Sequence, residues 1–144
     1  MSSPKPGFGN RKMARRYALQ ALYGWALSGN TLVDIETHVL LEHSEDKFDR
    51  IYFSTLLHEI PKQVATLDLL MSPYLSRKLE DVSPIELTVL RISVYELKER
   101  LDVPYKVVIN EALELAKTFG SQDSHKFVNG VLDKVAKDLR GAER

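Results

Sequence analysis

The stretch YKVVINEALELAKTFGSQDSHKFVNGVLDKVAKDL, residues 105–139, determines the fold class. In its first half, apolar residues recur at three- and four-residue steps, a spacing that predicts an amphipathic helix. Its second half repeats that spacing, and Gly120 between the halves suits the end of a helix. Ser121 or Asp123 can cap the helix that follows. The stretch therefore predicts two helices joined by a tight turn, with inward-facing residues Tyr105, Val108, Ile109, Ala112, Ala116, Phe119, Val128, Val131, Leu132, Val135 and Leu139.

The same periodicity continues along the rest of the chain, and no strand pattern competes with it. Pro61 interrupts the third periodic segment and should kink or split it, because proline removes a backbone donor. Ser83-Pro84-Ile85-Glu86 is a strong helix start, and the helix that follows, including Leu101, is apolar around most of its circumference. We expect an all-α fold, a compact bundle of about seven helices in two packed halves that divide near Met71–Pro73. The helices should lie at roughly 11–28, 32–43, 47–71, 74–80, 84–101, 105–119 and 123–139.

The composition predicts a globular protein of the reducing cytoplasm. A chain of 144 residues is the usual size of one domain, so we expect a single helical domain over 11–144. The first nine residues include two prolines, two glycines and two serines, which predicts a flexible basic arm over residues 1–10. No cysteine is present, which excludes disulfides, thiolate metal sites and cysteine nucleophiles. The apolar runs are too short to span a membrane, and the N-terminus has no signal-peptide core. We therefore expect a soluble, unexported protein.

Positive charge is concentrated at the start of the chain, although the net charge is zero. Residues 1–16 contain no acid, and a basic arm on a mildly acidic body is a plausible electrostatic footprint for nucleic acid. The alternative is a solvated tail followed by an ordinary first turn, and charge alone does not separate the two. The bases of this segment are Lys5, Arg11, Lys12, Arg15 and Arg16.

The first helix places an aromatic ring among these cations. Projection of residues 11–28 at 100° each puts Lys12, Arg16, Leu19 and Tyr23 on an outward strip. Single-stranded RNA would offer phosphates to the cations and base faces to the ring. The alternative is that Tyr23 packs beneath another helix with its hydroxyl in water. The inward stripe consists of Ala14, Tyr17, Ala18, Ala21, Leu22 and Trp25.

No pattern indicates an active site. The four histidines are scattered without metal-ligand spacing, and no phosphate-binding glycine loop, nucleophile elbow or dinucleotide fingerprint occurs. We therefore expect no catalytic residue, no metal and no cofactor.

The helical pair, together with PYLSR at 73–77, LRISVYEL at 90–97 and RRYALQALYGW at 15–25, resembles the NusB family of bacterial transcription antitermination factors. The resemblance covers nearly the whole chain from Arg11 onward. It implies an all-helical RNA-binding protein without enzymatic activity, which binds boxA RNA of ribosomal RNA operons together with NusE, a small-ribosomal-subunit protein. It also implies an RNA polymerase elongation complex with other Nus factors as the final partner, and no membrane.

By matching position, the resemblance assigns site residues. Arg11, Lys12 and Arg15 correspond to the arginine-rich arm of the family, and Tyr23 to its helix tyrosine. Met13 stands where another base is common, whereas Arg16 adds a base, so the placement of phosphate contacts differs. A second RNA-contacting cluster comprises Asp123, Lys126 and Phe127. The region facing NusE contains Glu80, Glu86 and Arg91.

Each of these residues has a plainer interpretation. Asp123 can simply cap its helix, and Phe127, at the border of its stripe, can belong to the core. Glu86 fits a capping box, and Glu80 and Arg91 fit surface ion pairs. Two other interpretations of the whole chain also remain open. One is a fragment of an RNA cytosine methyltransferase with a helical RNA-binding domain, and the other is a protein-binding scaffold without RNA affinity.

Overall fold

The computed structural model describes residues 10–143, and every regular element among them is helical. The arm predicted over residues 1–10 lies outside the described residues, apart from Asn10 just before the first helix. The chain divides into two compact units, Met1–Lys62 and Gln63–Arg144. The seven α-helices are α1 Arg11–Ser28, α2 Leu32–Glu42, α3 Arg50–Lys62, α4 Val64–Met71, α5 Pro84–Glu99, α6 Tyr105–Phe119 and α7 Ser124–Arg140.

The first unit is built on α1 and α3. Small and aromatic side chains of α1 pack against the large apolar face of α3, where Tyr52, Phe53 and Leu57 are almost fully buried. Asp49 caps α3, because its carboxylate accepts the backbone N–H of Tyr52 at 2.9 Å. None of the residues of α2 is buried, so this helix contributes little to the core of the unit.

The second unit is organised around α5, which was predicted to be central. Ten of its 16 residues are buried, and it packs against α4, α6 and α7. The predicted start of α5 is confirmed, because the Ser83 hydroxyl accepts the backbone N–H of Glu86 at 3.2 Å. At its other end, the buried Arg140 guanidinium donates to the carbonyl groups of Glu96, Leu97, Arg100 and Val103. This arginine satisfies backbone acceptors that the end of a helix leaves open.

The predicted split near Pro61 is confirmed, since α3 ends at Lys62 and α4 begins at Val64. The division predicted near Met71–Pro73 is wrong, because α4 packs on α5 and so belongs to the second unit. The predicted helix over 74–80 is also wrong. Its place is taken by two single 3-10 turns, Ser72–Tyr74 and Leu79–Asp81, with irregular backbone between them.

Three smaller expectations need correction. Leu101 lies beyond the end of α5 and is 70% exposed, so it is not part of the core. Leu19, predicted on the outward strip of α1, is 1% exposed, whereas Trp25 on the predicted inward stripe is only half-buried. The buried face of α1 is therefore rotated from the projected one and includes Arg15, Leu19 and Leu22, spaced four and three residues apart.

Candidate functional site

The start of α1 carries the cations that the sequence singled out. Lys12 is exposed and Arg16 half-exposed, whereas Arg15 is 4% exposed and lies within the first unit. The Arg11 guanidinium lies 4.2 Å from the centre of the Tyr52 ring, and its Nε donates to Asp49 at 3.4 Å. The Arg15 guanidinium lies 5.4 Å from the same ring. Cations stacked on aromatic rings are attracted by the ring quadrupole, so Tyr52 helps to hold both arginines in place.

The bases at this end of α1 are contrary to the usual charge preference of a helix N-terminus. The peptide dipoles make a helix N-terminus positive, so acids are favoured there and bases are not. The first turn of α1 has no acid, and its capping residue Asn10 makes no side-chain capping hydrogen bond and has a left-handed backbone, with φ of 69°. The helix dipole therefore does not favour bases at this end, whereas an anionic ligand there would be favoured by both the dipole and the bases.

Tyr23 lies further along α1 and is half-buried. Its position fits neither alternative from the sequence completely, because part of the ring is covered and part is accessible. The assignment of Arg11, Lys12, Arg15, Arg16 and Tyr23 to RNA stays a prediction.

The second predicted cluster lies at the start of α7. Asp123 and Lys126 have side chains 78% and 74% exposed, and their charged groups are 3.6 Å apart. Phe127, in the same turn, is half-buried. The capping interpretation of Asp123 is wrong, because its side chain makes no capping hydrogen bond. Instead, the Ser124 hydroxyl accepts the backbone N–H of Ser121 at 2.9 Å, and the Asp123 carboxylate is exposed beside Lys126.

Sequence reasoning missed the residues that surround this cluster. The Arg77 guanidinium lies over the Phe127 ring, 4.0 Å from its centre, and Nη1 of Arg77 is 3.4 Å from the Glu86 carboxylate. The other Glu86 oxygen accepts the Ser124 hydroxyl at 2.7 Å. Glu86 was interpreted as part of a capping box, and its spacing from Ser83 gave no sign of Ser124, 38 residues away. The only sequence signal was Arg77 at the end of the PYLSR motif.

The three residues assigned to NusE have different surroundings. Glu80 is exposed, in the 3-10 turn Leu79–Asp81. Glu86 is 5% exposed and bound as described. Arg91 of α5 makes a two-pronged ion pair with Asp68 of α4, with distances of 2.9 and 2.8 Å, and both side chains are mostly buried. Only Glu80 presents its charge freely, and the assignment of all three to NusE stays a prediction.

Residues 10–143 contain no group of three or more acidic or histidine side chains placed to hold a metal ion. Within the same range, no helix combines the length and apolar character needed to cross a membrane.

Comparison with known proteins identifies the class. The NusB family matches residues 12–137. The transcription antitermination protein NusB of Alcanivorax borkumensis is 53% identical over 143 residues, which cover 99% of this chain and 95% of that protein. The NusB of Serratia proteamaculans is 56% identical over 130 residues, which cover 90% of this chain and 94% of that protein.

Solved structures agree with these relatives. A structure of T. maritima NusB aligns with a TM-score of 0.77 and 31% identity, and the alignment covers 99% of this chain and 97% of that one. A crystal structure of antitermination factors NusB and NusE in complex with dsRNA aligns with a TM-score of 0.78 and 28% identity, over 89% of this chain and 96% of that one.

The family match and the curated relatives place the chain in the class of transcription antitermination factors, which are not enzymes. The chain belongs to the NusB family of transcription antitermination factors.

Proposed function

We propose that this protein binds the boxA RNA of ribosomal RNA operons together with NusE. In complex with RNA polymerase and other Nus factors, it promotes processive transcription. The family match supports the antitermination role. The relative solved with NusE and dsRNA, 28% identical to this chain, supports the two binding partners. Because the RNA that it binds is nascent ribosomal RNA, the protein acts in the cytoplasm.

The observation that carries RNA binding is the basic start of α1. Lys12 and Arg16 are accessible there, with Arg11 partly so, and the helix has no acid in its first turn. Backbone N–H groups at a helix N-terminus and nearby bases together favour phosphate. Tyr23 supplies a partly accessible ring for stacking, and the second cluster of the RNA site comprises Asp123, Lys126 and Phe127.

NusE binding is assigned to the region of Glu80, Glu86 and Arg91. The exposed Glu80 carboxylate is available for a direct contact. Glu86 and Arg91 are held by other residues of the second unit, so they shape this region rather than offer free charges.

A salt titration tests RNA binding by α1. Each phosphate neutralised on a single strand contributes about −0.7 to the slope of log affinity against log salt. We expect Lys12→Ala with Arg16→Ala to flatten the slope for boxA RNA by about 1.4, with unchanged helical content by circular dichroism. Lys137→Ala is the matched control, because Lys137 is an exposed cation near the C-terminal end of α7, away from the predicted RNA-contacting residues in sequence. An unchanged slope in the double variant would remove α1 from the RNA site.

Of the alternatives, the methyltransferase fragment is not favoured, because the family and the curated relatives are antitermination factors. A purely protein-binding scaffold would show no difference between boxA RNA and a scrambled RNA of equal length. We expect boxA RNA to bind more tightly than the scrambled strand at the same salt concentration.

A further inference from the structure

Arg77 has an unusual position beside the predicted stacking residue. Its guanidinium carbon lies 4.0 Å from the centre of the Phe127 ring and over that ring, so one ring face is already occupied. The Arg77 side chain is nevertheless 42% exposed. An RNA base that stacked on this face of Phe127 would first have to displace a cation from an aromatic ring.

A buried carboxylate holds Arg77 in this position. The Glu86 side chain is 6% exposed, and its Oε1 is 3.4 Å from Nη1 of Arg77. Its Oε2 accepts the Ser124 hydroxyl at 2.7 Å, and Ser124 is itself 1% exposed. Ser124 is the first residue of α7. Glu86 therefore contacts both Arg77 and the start of the helix that carries Phe127. Two independent contacts, one to a ring and one to a carboxylate, thus orient the guanidinium.

An oriented guanidinium is well suited to a nucleotide. It is planar, permanently charged and carries five N–H donors, so it can stack on a base and donate to a phosphate or a base edge. Arg77 directs one donor to Glu86, and its partial exposure leaves the group accessible. Arginine planes and aromatic rings both serve as stacking surfaces for unpaired RNA bases.

We propose that Arg77 is a direct RNA-contacting residue of the α7 cluster, and that Phe127 and Glu86 are positioning residues that act through it. A base of single-stranded RNA stacks on the guanidinium, which is supported from behind by the Phe127 ring. This inference rests on the proposed RNA-binding function, and it differs from direct stacking of RNA on Phe127.

A double-mutant cycle on boxA RNA separates the two arrangements. We expect Arg77→Ala to weaken binding by about tenfold, as for a lost stacking contact, and to flatten the salt slope by about 0.7 if the charge also meets a phosphate. Arg77→Lys should keep the salt slope of the wild type, because the charge remains. It should lose most of the same tenfold in affinity, because lysine has no planar face on which a base can stack. Phe127→Leu should weaken binding in the wild-type background and have no further effect in the Arg77→Ala background.

Direct stacking on Phe127 predicts the opposite pattern. Arg77→Ala would then uncover the ring and leave affinity unchanged or higher, and Phe127→Leu would weaken binding equally in both backgrounds. That result would overturn the proposal. Lys137→Ala serves as the control for loss of an exposed cation, and thermal melting confirms that each variant is folded. Wild-type protein that fails to distinguish boxA from scrambled RNA would instead refute the proposed function, and with it this inference.

Discussion

Arg15 shows why a basic residue at the right sequence position need not be an RNA contact. The resemblance places it in the arginine-rich arm, yet its side chain is nearly buried beside Tyr52. Its aliphatic part fills space in the first unit and its guanidinium is held near an aromatic ring. The spacing of Arg15, Leu19 and Leu22 at four- and three-residue steps was the available sequence signal for this burial.

We therefore expect Arg15→Ala to lower the free energy of unfolding by about 1–3 kcal/mol, because it removes buried packing and a ring contact. Lys12→Ala, in the same turn but exposed, should change it by less than about 0.5 kcal/mol. Chemical denaturation of both variants checks this. Equal stability of Arg15→Ala and wild type would mean that Arg15 does not support the fold.

Tyr17 is buried in the core of the first unit, and its hydroxyl makes a hydrogen bond to a charged residue. Its ring stacks on His43 with centres 3.9 Å apart, and its hydroxyl donates to Asp46 at 2.7 Å. Burial, and then the hydrogen bond to Asp46, raise the pKa of Tyr17 to about 12. The hydrogen bonds from Tyr17 and His43 lower the pKa of Asp46 below its usual range. The fold thus favours neutral Tyr17 and ionised Asp46.

The pH dependence follows from these shifts. The contribution of Tyr17 is fully present below its ordinary pKa of 10.0 and is lost as the pH rises towards about 12. The contribution of Asp46 is present above its ordinary pKa and is lost as the pH falls through the lowered one. We expect Tyr17→Phe to raise the pKa of Asp46 towards its usual value, as measured by carboxyl NMR titration. Tyr74→Phe, which removes a hydroxyl bound to Asp138, is the control and should leave Asp46 unchanged.

A substitution at Asp123 tests RNA binding separately from folding stability. Because its exposed carboxylate does not cap α7, Asp123→Asn should shift the free energy of unfolding by less than about 0.5 kcal/mol. The same change replaces a charged acceptor with an amide that also donates, so boxA affinity should change if the carboxylate meets base amino groups. Thermal melting and RNA titration on one preparation measure both. Wild-type affinity would exclude Asp123 from the RNA site.

Among the helical elements, the turn between α6 and α7 depends on Gly120 for an unexpected reason. The sequence suggested a glycine end to α6, but the φ of Gly120 is −91°, which any residue can adopt. The requirement is space, because a Cβ at Gly120 would lie 2.6 Å from the Ser124 hydroxyl and 2.7 Å from the Ala116 carbonyl oxygen. Sequence pattern identified the turn but not the close approach that demands glycine.

Gly120→Ala should therefore destabilise the protein by about 1–3 kcal/mol, the usual cost of overpacking. Gly130→Ala is the matched control, because Gly130 lies within α7 and a Cβ there meets nothing within 4 Å. That control should be stabilising by up to about 1 kcal/mol, since alanine is the better helix former. Denaturation curves compare the two, and equal effects of both substitutions would contradict the steric explanation.

Long periodic segments were predictable, whereas the shortest predicted segment, 74–80, was not. The bounds predicted for α1 and α6 match, because their apolar spacing extends over four or more turns. The segment 74–80 is too short to carry a reliable period, and its two 3-10 turns follow from how α4 and α5 are connected. The hydrogen bond between Ser124 and Glu86 was equally unpredictable from the sequence, because it connects α7 to α5.

For the whole molecule, the sequence predicted an all-helical chain in two packed halves, and the structure confirms helices throughout residues 10–143 and a division into two compact units. The position of the division was missed because the apolar pattern continues on both sides of Pro61, so α4, which follows it, could be assigned to either half by pattern alone. The predicted site residues are spread over both units, with the α1 cations in the first and the α7 cluster in the second. Burial of Arg15 and Glu86 depends on tertiary packing, which a single helix projection does not contain.

A test of cooperation between RNA and NusE most directly distinguishes the proposed function from that of a solitary RNA binder. The measurement is the Kd for boxA RNA with and without saturating NusE, at one fixed salt concentration. We expect NusE to tighten RNA binding by about 5- to 150-fold, the usual range of coupling between two sites, and RNA to tighten NusE binding by the same factor. Equal RNA affinity with and without NusE would contradict the proposal that the two partners are bound together.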